Sequence, residues 1–195
     1  MTMPTSGSGS TRRAVLKNAA ALSLGTGVLV VTGQLITATP AHAVPPRPQF
    51  GWRYCNRCKS LVWGASPSLH EQCPHPSYIE HNTSGSFNYG MHFRPTNIAG
   101  QDHWAYCSFC YGMFYWGSRS QPFVPLCPSG GGNHNGDGSH EYIIPTSSAG
   151  ARQENWRHCT KCHMLFWGGA EASSRCPAGG THTRGSSANY WLAHE

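Results

Sequence analysis

Large aliphatic side chains are scarce in this chain. From Val44 onward it has only twelve Leu, Ile and Val residues. That excludes a thick aliphatic core, and small domains with thin cores draw on disulfides or metals instead. The eight Asp and Glu residues are scattered and form no acid/base pair. Gly-x-Ser-x-Gly, His-Glu-x-x-His and a phosphate-binding glycine loop are all absent, so no familiar catalytic pattern is present. Long helices are disfavoured too, because 23 Gly and 14 Pro punctuate the sequence.

The one long apolar stretch lies near the N-terminus. Arg12-Arg13-Ala14-Val15-Leu16-Lys17 precedes an uncharged run from Ala19 to Thr39, and Ala41-His42-Ala43 follows. Paired arginines, an apolar segment and a small-x-small end predict an export signal over residues 1–43, cleaved after Ala43. The arginine stretch resembles the twin-arginine type, with Val15 where Phe is usual. A membrane anchor is the alternative reading, and the Gly, Thr and Ala content favours cleavage. Cleavage removes Arg12, Arg13 and Lys17 and leaves 11 Lys and Arg against 8 Asp and Glu, a formal charge of +3.

What remains is a repeat. Trp52, Trp104 and Trp156 stand 52 residues apart and each opens the same pattern. Cys55-x-x-Cys58, Cys107-x-x-Cys110 and Cys159-x-x-Cys162 follow, then Leu61-Val62-Trp63, Met113-Phe114-Tyr115-Trp116 and Leu165-Phe166-Trp167. Trp63, Trp116 and Trp167, each before a glycine, read as equivalent. Cys-Pro recurs at Cys73, Cys127 and Cys176, and Gly-Ser at Gly85, Gly138 and Gly185. A short apolar run closes each copy, beginning at Tyr89, Tyr142 and Tyr190. The predicted units are a Pro-rich arm over 44–51, extended and unpaired, and repeats over 52–101, 102–153 and 154–195. Aromatics flanking tight turns predict strands. The fold class is therefore small all-β, as three zinc-ribbon-like units with little helix. The units stand either as separate beads or in a closed arrangement with pseudo-threefold symmetry.

The nine cysteines fall three to a copy, an odd number that cannot pair fully within one chain. Each trio has a histidine in register. His134 and His182 lie eight residues before Tyr142 and Tyr190, and the same offset from Tyr89 selects His81 over His75. Three thiolates and one imidazole fill a tetrahedral zinc shell. The predicted ligand sets are Cys55, Cys58, Cys73 and His81; Cys107, Cys110, Cys127 and His134; and Cys159, Cys162, Cys176 and His182. Disulfides are the competing reading in an exported protein, but they would leave three free thiols. Three structural Zn²⁺ ions are the predicted cofactors. Each such centre carries −1, which offsets the formal +3 and removes the support for nucleic-acid binding.

The repeat resembles the Trp-x-x-Cys-x-x-Cys-x-x-Leu-Phe-x-Gly…Cys-Pro-Ala-Gly-Gly-x-His…Gly-Ser-x-x-Tyr repeats of exported actinobacterial proteins. Copy three carries the likeness best, through Trp156, Cys159, Cys162, Leu165, Phe166, Cys176 to Gly180, His182, Gly185-Ser186 and Tyr190. Copy one departs most, since it lacks Gly-Gly before His81. The likeness runs from Trp52 to Leu192 and implies export and repetition, with no reaction. A fainter resemblance, resting on size, export and the Pro-rich arm, is to small adaptor subunits of secreted actinomycete umbrella toxin particles.

These readings predict a secreted, non-enzymatic interaction module, an adaptor or scaffold in an extracellular protein assembly. No catalytic residue is assigned, because a Cys3His shell leaves no open coordination position. Pro45, Pro46, Arg47 and Gln49 of the arm and Trp191 are the candidate binding residues, the last because it lies outside both recurring tryptophan sets. The remaining histidines read as exposed loop residues. A carbohydrate or cell-wall binder using exposed aromatics is one alternative, and a metalloenzyme is the other. No membrane contact is predicted after cleavage.

Overall fold

The computed structural model describes residues 47–65, 72–117, 126–130, 132–148 and 153–195. The predicted signal, the first part of the arm with Pro45 and Pro46, and His70 lie outside them. Each copy contributes a six-residue strand, a three-residue strand and a returning strand. These are β1 (Gln49–Tyr54), β2 (Leu61–Trp63) and β3 (Tyr89–Phe93) in copy one. Copy two has β4 (Gln101–Tyr106), β5 (Met113–Tyr115) and β6 (Tyr142–Ile144). Copy three has β7 (Gln153–His158), β8 (Leu165–Trp167) and β9 (Tyr190–His194), with a short 3-10 helix at Gly168–Ser173. The fold is small and all-β, as predicted.

Local chemistry sets each hairpin. The turn after β1 is closed by Cys55 N–H to the Ser60 carbonyl at 2.9 Å and Lys59 N–H to the Cys55 carbonyl at 2.8 Å. It needs one left-handed residue, and Lys59, Tyr111 and His163 take that role at φ 70°, 59° and 61°. None is glycine, so each turn holds mild strain. A second irregularity precedes each core tryptophan. Gly51, His103 and Asn155 have φ 117°, 62° and 72°, and the pairing of the first and third strand of each copy shifts register there. These are β-bulges. In copies one and three the bulged N–H is taken by Asn88 and Asn189 side chains, both at 2.8 Å.

The copies close on one another in a ring. Trp63 N–H gives to Tyr111, Tyr115 N–H to His163 and Trp167 N–H to Lys59, at 2.7, 2.9 and 2.9 Å. Each bond runs from one copy to the next and the third returns to the first. The returning strands meet as well, β3 with both β6 and β9, and Trp191 N–H reaches the Pro145 carbonyl at 2.9 Å. Of the two predicted arrangements, the closed pseudo-threefold one is formed.

Aromatics fill the ring because aliphatics are few. Trp52, Trp104 and Trp156 are all 0% exposed. Each meets a tyrosine edge-on, Trp52 with Tyr142 at 5.6 Å, Trp104 with Tyr190 at 5.2 Å and Trp156 with Tyr89 at 5.1 Å. Each pair joins two copies, a geometry that suits the ring quadrupoles. The tyrosine hydroxyls then cross between copies, Tyr142 to Gln49 at 2.7 Å, Tyr89 to Gln153 at 2.5 Å and Tyr190 to Gln101.

Several expectations need correction. Gln49 is not part of an unpaired arm, because it pairs with Met91 in the sheet and accepts the Tyr142 hydroxyl. Strand register places Tyr115, not Trp116, opposite Trp104, as Trp63 stands opposite Trp52 and Trp167 opposite Trp156. Trp116 instead takes the place of Gly64, since its N–H gives to the His103 carbonyl as that of Gly64 gives to Gly51. In copy three the serine that accepts the strand N–H is Ser187, as Ser86 and Ser139 do, so Ser186 stands in the place of Gly85 and Gly138 and Gly185 comes one position earlier. Trp191 is part-buried in β9 rather than a free surface ring. His92, His103, His158 and His194 are no loop residues either, since they lie in β3, β4, β7 and β9, and His158 packs against Trp104 and Tyr115.

Candidate metal centres

Each copy's hairpin turn, Cys-Pro loop and histidine converge on one point. The ligand atoms of Cys55, Cys58, Cys73 and His81 all lie within 4.8 Å of one another, as do those of Cys107, Cys110, Cys127 and His134 and those of Cys159, Cys162, Cys176 and His182. His81, not His75, joins the first set. His75 instead packs its ring against Tyr78 at 5.0 Å. The twelve side chains are all buried, and the nine cysteines form no disulfide.

The spacing fits a tetrahedral ion. With sulfur about 2.3 Å and nitrogen about 2.0–2.1 Å from a zinc-like centre, two sulfurs lie about 3.8 Å apart and a sulfur and nitrogen about 3.5 Å apart. The observed Sγ–Sγ distances are 3.8 Å for Cys107 and Cys127 and 3.9 Å for Cys159 and Cys176. The observed Sγ–Nδ1 distances are 3.6, 3.3 and 3.4 Å for Cys58–His81, Cys110–His134 and Cys162–His182. Protonation states point the same way. Hydrogen bonds from Cys58, Cys110 and Cys162 hold the thiols of Cys55, Cys107 and Cys159 far below the usual range. Burial pushes Cys58, Cys110 and Cys162 well above it. The hydrogen bonds of Cys127 to Cys107 and of Cys176 to Cys159 push both up to about 11. Protein groups alone thus stabilise one thiolate in each cluster and oppose a second, an opposition that a bound cation offsets. These are three buried Cys3His clusters built for structural metal binding.

The outer shell is supplied by the neighbouring copy. With Nδ1 on the ion, Nε2 carries a proton and needs an acceptor. His81 Nε2 faces the Cys110 carbonyl at 3.3 Å, and His182 Nε2 faces the buried Ser60 hydroxyl at 3.1 Å. His134 Nε2 is buried and has no acceptor among the described residues. The residue of copy three in register with Ser60 is Met164, which offers no hydroxyl. Imidazole stacking remains, His134 on Phe114 at 4.7 Å and His182 on Phe166 at 4.8 Å. Loss of an outer-shell partner costs metal sites about 10–100-fold in affinity. The second site is therefore expected to release its ion first under chelator titration, which mass spectrometry combined with cysteine alkylation mapping will show.

The predicted binding residues do not converge with these centres. Arg47 is exposed, while Gln49 and Trp191 lie in strands. A smaller cluster missed by sequence reasoning is Asp102, His103 and Glu141, half-buried to exposed. His103 Nδ1 meets Glu141 at 3.0 Å and Arg94 pairs with Asp102 at 3.1 Å. It occupies the bulge that asparagine satisfies in the other copies. Compared with protein-family models, with curated proteins and with solved structures, the chain matches none.

Proposed function

We propose that the protein is an exported, non-enzymatic interaction module whose three zinc ions hold its shape, serving as an adaptor in an extracellular protein assembly. Zinc is favoured by the donor set, three thiolates and an imidazole in tetrahedral spacing. Four protein donors per ion, all buried, leave no coordination position for a substrate. Export rests on the paired arginines at residues 12 and 13 and the small-x-small end at Ala43. The twin-arginine resemblance implies export after folding, which would let zinc bind the thiolates before oxidation reaches them.

One break in the symmetry carries the adaptor reading. The Cys-Pro loops close through Cys127 N–H to Gly132 and Cys176 N–H to Gly180 in copies two and three, whereas copy one closes on Ile79, with Tyr78 beside it. The Tyr78 and Ile79 side chains are 48% and 75% exposed. Copies two and three make the closing bond on a glycine, so the bond itself calls for no apolar side chain at that position. Arg57 stacks on Tyr78 at 3.9 Å and fixes its ring. Beside them His75 borders a cleft of about 650 Å³ between the three Cys-Pro loops. A rigid aromatic and an exposed isoleucine next to a cleft are what a protein interface anchors on.

A photo-crosslinker placed at residue 79 tests this in the native secreted fraction. One defined partner band is expected. It should fall at least tenfold when Tyr78→Gly is added, with metal content unchanged. No band above that of a crosslinker placed at Thr146 would defeat the adaptor reading.

A further inference from the structure

Two grooves on the described surface repeat one another. The first lies between copies one and two, where Gln49 and Trp63 face Tyr106, His140 and Tyr142 around a volume of about 200 Å³. The second lies between copies three and one, with a volume of about 110 Å³. Its Gln153, Trp167, Tyr54 and Tyr89 hold the same repeat positions as Gln49, Trp63, Tyr106 and Tyr142. Ser86 stands where Ser139 does, Phe87 stands in place of His140, and Trp52 lines the first groove without its counterpart Trp156 lining the second. At the third junction Tyr115 and His158 replace the tryptophan and tyrosine, and their rings pack at 5.3 Å.

The two tryptophans differ from the core set. Trp52, Trp104 and Trp156 are 0% exposed, whereas Trp63 and Trp167 are only partly buried. Each indole is held edge-on by a neighbour, Trp63 by Trp52 at 5.4 Å and Trp167 by Tyr54 at 6.0 Å. Each groove therefore offers a fixed aromatic face at little entropic cost.

No Asp, Glu, Lys or Arg lines either groove. The first groove also holds the His140 imidazole, and the second has no ionisable side chain besides its tyrosines. Polar groups remain. Gln49 and Gln153 spend their carboxamide oxygens on Tyr142 and Tyr89, which leaves the amide N–H groups as donors and the tyrosine oxygens as acceptors. In the first groove Trp52 Nε1 is one more donor, without an acceptor among the described residues. An ion would find no carboxylate, ammonium or guanidinium partner in either groove, and a wholly apolar ligand would strand the amide donors. A ring with a C–H face and a hydroxyl edge satisfies both.

We infer that these two grooves bind neutral pyranose rings of a saccharide, one ring in each, stacked on Trp63 and on Trp167. This goes beyond the adaptor reading and is independent of it, because Tyr78 and Ile79 line neither groove.

The test titrates the full-length mature, metal-loaded protein with chitotriose, cellotriose and maltotriose, each to about 10 mM, tenfold above a ~1 mM dissociation constant. Indole N–H resonances and calorimetric stoichiometry are the readouts. At least one saccharide is expected to shift the Trp63 and Trp167 resonances and to bind at two sites per chain. Trp63→Ala and Trp167→Ala should each remove one site, and the double variant should bind at least tenfold more weakly. Where alanine disturbs folding, Trp63→Tyr and Trp167→Tyr replace it, since Tyr115 shows that tyrosine fits this register. These should weaken binding several-fold. Two results would overturn the assignment. One is the absence of indole shifts with all three saccharides, whether or not a proline-rich peptide shifts them. The other is undiminished binding by a double variant that keeps its metal and circular dichroism. Crosslinking through residue 79 should be unchanged in the groove variants, so either reading can fail alone.

Discussion

Stripping the metal from the purified protein will unfold it. Structural zinc sites contribute apparent binding energies of about 10–16 kcal/mol each, against a net stability of about 5–15 kcal/mol for a whole domain. The thin aromatic core cannot replace even one such term. Excess chelator is expected to abolish the tryptophan near-ultraviolet circular dichroism, and adding zinc back under reducing conditions should restore it. Acid should act in the same direction. The thiols of Cys58, Cys110 and Cys162 are pushed far up by burial, so the ion must displace their protons and metal affinity must fall with pH. A chelated protein that keeps its tertiary signal would show that the aromatic ring stands by itself.

Replacing a core tryptophan will cost nearly as much. Trp104 is 0% exposed and meets Tyr115 of its own copy and both His158 and Tyr190 of the next, at 5.4, 5.9 and 5.2 Å. Trp104→Ala is expected to lose about 3–5 kcal/mol, read from denaturant unfolding in saturating zinc. Because the lost contacts span two copies, the whole ring should unfold in one transition at lower denaturant. Trp116→Ala is the control. It is partly exposed and packs on Phe114 of its own copy at 5.9 Å, so its cost should be clearly smaller than that of the fully buried Trp104. Equal losses at the two positions would mean that junction packing is not what holds the copies together.

The sequence made the repeat and its metal chemistry legible through ordinary local signals. A tryptophan every 52 residues, the Cys-x-x-Cys turns and the constant offset from histidine to tyrosine are short-range patterns tied to one turn or one ion. The same offset distinguished His81 from His75. Ring closure was harder to read, because it depends on pairings such as Trp167 with Lys59 that join distant parts of the chain without a motif. One signal was present and passed over. Gln49, Gln101 and Gln153 each stand three residues before a core tryptophan, and all three accept a tyrosine hydroxyl from another copy. Trp116 misled for a physical reason. Sequence likeness favoured tryptophan before glycine, but strand register is set by backbone pairing, which put Tyr115 opposite Trp104. The shifted glycine of copy three was hidden similarly, because Gly185-Ser186 looks like the recurring pair until Ser187 is seen to accept the His158 N–H.

The direction of the junction bonds has its own consequence. At every junction one copy donates through the residue opening at Trp63, Tyr115 or Trp167, and the next accepts through Tyr111, His163 or Lys59. Each copy therefore has a donor side and a distinct acceptor side, so the contacts are heterologous, and a head-to-tail series of this kind either closes or grows without limit. Here three rotations bring the last acceptor back to the first donor. A fourth copy would find no free side to join, and no terminal copy is left needing a cap.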